Sequence, residues 1–344
     1  MPPALRFGIA IMASEPPDEF IPTVRLAEAL GFDSIWIPDY RLYRDVYVSL
    51  TLAALNTTRV RLGCAVTNPY TRHPGLTAVG IASVDAVSNG RVVLGLGAGG
   101  MVLDLLQVKQ RDPARACRNA VENIRRYLGD NPVRGTGRPE TDNSRVRLDF
   151  PARPGLPIFI AATGRRMLTL AGEIADGVIV NVGAHPACVE AALAAVGNGA
   201  WGVKRPRQGL ELLCWLQGCA VSEDRAAALN AAKPAAALTL GNAPGWMLEA
   251  MEIDESDARE IRKVYYTEGA RAAAELVTDE MAEKYTIAGT PERAVGKIKR
   301  LRAQGFDEII FLADESGSNA RETMQTLAER VMTEFKSSYL SSEL

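Results

Sequence analysis

Apolar residues in this chain do not alternate with polar ones; they come in short unbroken runs, each followed by a stretch where they recur every three or four positions. The first run, Arg6 to Met12, gives way to Pro16-Pro17 and an amphipathic segment from Asp18 to Leu30 that Gly31 closes. Ser34 to Pro38 repeats the run ahead of a helical pattern at Val46 to Leu55, Arg59 to Val66 leads into His73 to Val87, and Arg91 to Leu96 follows. A helix is then predicted from Pro113 to Leu128. Further strands fall at Ile158 to Ala162, Gly177 to Val182, Leu210 to Val221 and Asp307 to Leu312, with helices at Arg165 to Ala175, Pro186 to Val196 and Arg321 to Phe335. Strands that are apolar throughout are buried on both faces, as in a parallel sheet. Their repetition predicts an α/β fold of the (β/α)8 TIM-barrel type rather than an open sheet.

Two stretches break the rhythm. Residues 129–157 are dense in Gly, Pro and charge and read as an excursion, with a small hairpin near Ser144 to Phe150. Residues 223–285 are Ala-rich and helical, broken at Asn242-Ala-Pro-Gly245, and longer than one crossover helix needs. Thr290-Pro291-Glu292 then opens a helix, with a cap, Pro at the first position and an acid in the first turn. The expected organisation is a single barrel domain over residues 1–336 with two insertions, and a frayed tail at 337–344.

Composition narrows the partners. Lys+Arg 39 against Asp+Glu 41 leaves a net charge of −2, which asks for neither nucleic acid nor an anionic membrane and leaves a small-molecule partner. No apolar run approaches the roughly 18 residues of a membrane span, and Met-Pro-Pro-Ala-Leu-Arg lacks the layout of a signal peptide, so a cytoplasmic protein is expected. Five cysteines without CxxC spacing and two histidines far apart are a poor set for disulfides or a metal.

A barrel of this kind places its site at the C-terminal ends of the strands. Gly95-Leu-Gly97-Ala-Gly99-Gly100 matches GxGxxG, but the dinucleotide fingerprint needs an acid-tipped strand about 20 residues later, and the region after Ala114 is helical and Arg-rich. The readings left are a glycine loop that lets a cofactor approach the backbone, or a structural turn. Thr163-Gly164-Arg165-Arg166 opens a helix whose free N–H groups suit a phosphate. Asp39 ends the second strand beside Tyr40; its carboxylate can accept a hydrogen bond from a cofactor and the phenol can donate one, or Asp39 pairs with Arg41 or Arg44. His73, just before Pro74, is placed for capping more than for catalysis, and His185 is no better supported. No serine has a GxSxG context.

Gly31-Phe-Asp-Ser-Ile-Trp-Ile-Pro-Asp39, Leu62 to Pro74, Ser88 to Gly97, and Gly289-Thr-Pro-Glu292 before Gly305 to Phe311 together resemble the bacterial luciferase-like superfamily of flavin and deazaflavin oxidoreductases. Thr67-Asn-Pro-Tyr-Thr-Arg-His-Pro74 is most similar to the methylenetetrahydromethanopterin reductase branch, which uses the 5-deazaflavin coenzyme F420. The resemblance implies a barrel with insertions, a homodimer, and a non-prolyl cis peptide at Ala65-Val66 whose bulge backs the cofactor ring. It implies that Asp39, Thr67 and Asn68 contact the ring or its side chain, that Gly97, Ala98 and Gly99 line the ribityl path, and that Thr163, Gly164 and Arg165 hold the phosphate. Hydride would then pass between the open ring face and a substrate held by Met12, Tyr40, Trp215 and Gln217, with Tyr40 the first choice of proton donor. Many relatives have His where this chain has Tyr40, and the archaeal reductases have Glu where it has Ala10. Those departures point away from the pterin and sugar-phosphate reactions, toward reduction of a natural-product or peptide intermediate. An FMN-dependent monooxygenase and a non-catalytic flavin-binding barrel are the alternatives.

Overall fold

In a computed structural model, described here for residues 4–40, 42–129, 148–206, 209–312 and 320–340, eight parallel strands close into a barrel in sequence order. The first half runs β1 (Arg6–Ala10), α1 (Pro17–Ala29), β2 (Ser34–Ile37), α2 (Val46–Asn56), β3 (Arg61–Thr67), α3 (Pro74–Val87), β4 (Val92–Leu96), α4 (Met101–Leu105) and α5 (Pro113–Tyr127). The second half runs β5 (Ile158–Ala162), α6 (Arg165–Ile174), β6 (Gly177–Val180), α7 (Pro186–Gly202) and β7 (Glu211–Leu216). After β7 come α8 (Arg225–Gly241), α9 (Gly245–Ala250), α10 (Glu255–Thr267), α11 (Ala270–Glu275) and α12 (Asp279–Tyr285), then α13 (Pro291–Ala303), β8 (Glu308–Leu312), α14 (Ala320–Leu327) and α15 (Thr333–Leu340), the last two joined by a π-helical turn.

Two apolar compartments hold the barrel together. One lies between the strands and the helices; the other, inside the barrel, contains Trp36, Val93, Phe159, Leu213 and Ile310. The inner compartment alternates bulk with its absence. A Cβ on Gly63 would lie 2.0 Å from the Trp36 ring, and one on Gly177 would lie 2.7 Å from Phe159. Below Trp36, fully buried Glu308 accepts hydrogen bonds from Ser34 Oγ, Trp36 Nε1, Arg61 and Arg6, and Glu211 joins the two arginines from β7. Burial would raise the Glu308 carboxyl, but Arg61, with Ser34, Arg6 and Trp36, holds it below the usual glutamate range. That ion cluster closes the N-terminal end of the barrel, which leaves the other end for chemistry.

Several elements depart from expectation. Helix α7 runs on to Gly202 rather than stopping at Val196, where its added turns pack closely on α6. A Cβ on Gly199 would lie 1.9 Å from the Thr169 carbonyl, and one on Gly172 would lie 2.0 Å from that of Val196. β7 ends at Leu216, and Val221 makes only an isolated bridge to Gly289. Helix α4 falls where no element was expected. Most of the predicted 144–150 hairpin, Arg41 and residues 341–344 lie outside the described residues.

Candidate active site

The C-terminal ends of the strands surround a cavity of about 410 Å³. From β2, Pro38 turns the chain so that Asp39 and Tyr40 face it. Thr67, the last residue of β3 and fully buried, donates its hydroxyl to Asp39 Oδ2 at 2.7 Å. Burial raises the Asp39 carboxyl above the usual aspartate range; the Thr67 hydrogen bond and Arg72 oppose the rise, and Asp45 adds to it. A ligand N–H arriving here would therefore be welcome, since it would offset the cost of a desolvated carboxylate.

Along β3 the register with β4 shifts between Cys64 and Thr67, and the intervening Ala65-Val66 peptide is cis, where the family resemblance put it. The side chain of Val66 lies across β4. A Cβ on Gly95 would sit 2.0 Å from the Cys64 carbonyl oxygen and 2.9 Å from Val66 Cγ1, and one on Gly97 would sit 2.5 Å from Val66 Cγ2. Two glycines of the GxGxxG run thus answer to the neighbouring strand. Gly99, at φ +81°, packs on Leu103, and only Gly100 faces open space. Asn68 Oδ1 accepts from the backbone of Tyr70 at 2.9 Å and Thr71 at 3.0 Å, closing an Asx turn. His73 is the N-cap of α3, its Nδ1 accepting from Gly75 N at 3.1 Å. Neither His73 nor His185 lines the cavity.

From β5, Thr163 donates its hydroxyl to the Asn181 carbonyl at 3.0 Å. Gly164 is the N-cap of α6, with no side-chain cap and nothing within 4 Å of a would-be Cβ. The first N–H groups of α6 consequently point outward at the cavity rim. Arg165 itself is exposed, its guanidinium 5.4 Å from the centre of the Trp246 ring on α9, so its side chain turns to the insertion.

Met12, Ile179, Trp215 and Leu312 supply apolar walls, and Leu238 of α8 reaches in from the insertion. Thus Met12, Asp39, Tyr40, Ala65, Val66, Asn68, Gly97, Ala98, Gly99, Thr163, Gly164, Trp215 and Gln217 meet around one cavity. Thr67 stands behind Asp39, and the Arg165 side chain lies outside. Reasoning from sequence passed over Asn181, which directly follows β6 and also lines the cavity; its place after a strand was the available signal. Leu238 carried no such signal, because the insertion returns to the mouth only through folding.

The family model for luciferase-like monooxygenases matches residues 5–308. The 5,10-methylenetetrahydromethanopterin reductase of Archaeoglobus fulgidus is 32% identical over 338 residues, covering 96% of this chain and 100% of that protein. A protein of Nakamurella multipartita named F420-dependent glucose-6-phosphate dehydrogenase is 29% identical, with 91% of each chain covered. Among solved structures, the coenzyme F420 dependent tetrahydromethanopterin reductase of Methanopyrus kandleri superposes with a TM-score of 0.83 at 29% identity, covering 97% of this chain and 100% of that one.

Proposed function

This chain belongs to the luciferase-like monooxygenase family, and from that premise we propose that it is an oxidoreductase dependent on the deazaflavin coenzyme F420. Relatives named for that coenzyme match it along 91% and 97% of its length. The observation that carries the reading is the order of features around the mouth. The Asp39–Thr67 pair lies at β2 and β3, the glycine run after β4, and the uncapped start of α6 after β5. Those are, in sequence around the barrel, an acceptor for a ring N–H, a floor without side chains, and a phosphate cradle.

In this reading Asp39, Thr67 and Asn68 receive the ring, with Ala65 and Val66 behind it. Gly97, Ala98 and Gly99 flank its side chain, while Thr163, Gly164 and the N–H of Arg165 hold the phosphate. Bound there, a deazaflavin supplies a two-electron hydride carrier, and the protein supplies position and electrostatics. Met12, Trp215 and Gln217 face the substrate, and Tyr40 delivers a proton to it. The reaction is reduction of an unsaturated or oxidised carbon in a natural-product intermediate, a small molecule or a peptide.

Fluorescence titration with F420 and with FMN tests the proposal. Tight F420 binding, and oxidation of the reduced coenzyme by an added acceptor, are expected. Oxygen uptake with reduced FMN would instead identify a monooxygenase, and binding without turnover of any acceptor a non-catalytic barrel.

The same reading includes a homodimer through α2 and α3. Val48, Leu55, Leu76 and Val79 are exposed on them, and the one charged residue in either helix, Asp85, is buried against Arg153. A face of that size without charge fits a second copy of the chain. Light scattering should give twice the monomer mass, and Leu55→Lys should halve it.

A further inference from the structure

Two cavity-lining amides are held from behind by hydroxyls of the insertion. Gln217 Oε1 accepts from Thr239 Oγ1 of α8 at 2.5 Å, and Asn181 Oδ1 accepts from Tyr285 OH, at the end of α12, at 3.4 Å. Tyr285 is fully buried. The two loops that carry the amides are moulded on this end of the insertion. Gly183, at φ +72°, would bring a Cβ to 2.5 Å from Tyr285, and Gly218, at φ +62°, to 2.8 Å from Thr286; Ala184 N donates to the Tyr285 carbonyl at 2.9 Å.

With the Thr239 proton on the 2.5 Å contact to Gln217 rather than the 3.2 Å contact to the Ala235 carbonyl, and the Tyr285 proton on Asn181, each amide presents its NH2 group forward. Among the described residues neither NH2 has a partner, and both residues line the cavity. The surroundings are Met12, Ile179, Trp215, Leu238 and Leu312, and Asp39 is the only charged side chain among the lining residues. Two neutral donors in an apolar wall suit a neutral oxygen acceptor. They do not suit a phosphate or carboxylate, which would be desolvated there without a cation.

We propose that Asn181 and Gln217 form a donor pair for the carbonyl oxygen of an uncharged, largely apolar substrate whose carbonyl is conjugated to the double bond that is reduced. Thr239 and Tyr285 are its positioning residues. The inference rests on the function proposed above. Hydride addition at the carbon β to the carbonyl breaks the alkene π bond and moves that pair towards the oxygen held by the two amides. A proton at the α carbon completes a two-electron reduction in which a reduced deazaflavin is the reductant.

The test uses cyclohex-2-en-1-one as probe and 1-methylcyclohexene as its carbonyl-free counterpart, with the oxidised F420 complex so that no turnover occurs, and again with the protein alone. Calorimetry should find tighter binding of the enone, and infrared difference spectra should show its carbonyl band moved to lower frequency than in hexane. Tyr285→Phe should weaken the enone by about threefold to tenfold, the worth of one neutral hydrogen bond, and move the band back. Gln217→Glu, which replaces donors with an anion, should weaken it further while F420 affinity holds. Equal affinity for the two probes, or a band unchanged in Tyr285→Phe and Gln217→Glu, overturns the donor pair even when F420 binds. Loss of F420 binding instead overturns the proposed function, and the titration of the protein alone still reports on the pair.

Discussion

Gly95 and Gly97 offer a matched pair of perturbations, one methyl group each, on either side of the same bulge. At Gly95 the new Cβ would lie 2.0 Å from a backbone atom, the Cys64 carbonyl oxygen. That oxygen cannot retreat without separating β3 from β4, so Gly95→Ala belongs at or above the upper end of the usual overpacking cost, about 3 kcal/mol. At Gly97 the clash is with Val66 Cγ2 at 2.5 Å, and a side chain can swing away for about 0.5–1.5 kcal/mol. With about 2.1 cal/mol/K per residue over 344 residues, the unfolding entropy is about 0.7 kcal/mol/K. Gly95→Ala should therefore lower Tm by about 4 °C and Gly97→Ala by about 1–2 °C. In exchange, Gly97→Ala displaces Val66, which lines the cavity, and should weaken F420 binding. Calorimetric scans and F420 titration of both variants give the readout. In a double-mutant cycle, Val66→Ala should relieve most of the about 0.5–1.5 kcal/mol cost of Gly97→Ala and leave Gly95→Ala uncorrected, since the carbonyl clash persists. A Gly95→Ala protein as stable as wild type, or a Gly97→Ala defect that Val66→Ala does not touch, would refute the packing argument.

Other expectations follow from named contacts. Glu308→Gln leaves Arg61 and Arg6 facing an uncharged amide in the barrel floor and should cost about 3–5 kcal/mol. Because the folded Glu308 carboxyl lies below its unfolded value of about 4.3, its contribution is full above that pH and is lost as pH falls through the folded value; Tm of the wild type should drop more steeply below about pH 4 than that of Glu308→Gln. Thr67→Val removes the hydroxyl that opposes the rise at Asp39, so the carboxyl titration of Asp39, followed by 13C NMR, should move to higher pH. His73→Ala should cost about 0.5–2 kcal/mol as a lost cap while leaving kcat unchanged, and a collapse of kcat would restore His73 to the chemistry. Gly164→Asp should give α6 the side-chain cap it lacks yet weaken F420 by about tenfold or more through like charge at the phosphate, measured by fluorescence.

The barrel was legible because its strands are apolar on both faces and α1, α3, α5, α7 and α13 carry Pro at their first positions, signals that act within a few residues. Even the cis Ala65-Val66 peptide could be placed, through resemblance across Leu62 to Pro74 rather than through any local propensity. Function was harder to separate from packing. Gly95 and Gly97 read as a cofactor loop, and the structure gives both a second duty against Cys64 and Val66. The helix from Pro186 was expected to end at Val196, although Gly199 is where α7 touches α6. Arg165 read as a phosphate ligand by charge, yet its side chain found Trp246, a residue that no local pattern could have paired with it.

Sequence by itself determined the order of strands and helices, the end of the barrel that carries the site, and the residues after β2, β3, β4 and β5 that line it, because periodicity and strand ends are properties of neighbouring residues. Tertiary structure alone decided that Glu308 meets Arg6 and Arg61 beneath Trp36, and that Thr239 and Tyr285 stand behind Gln217 and Asn181. Those pairings close loops of tens to hundreds of residues, and what selects them is the shape and unsatisfied hydrogen bonding of surfaces that exist only once the barrel has closed.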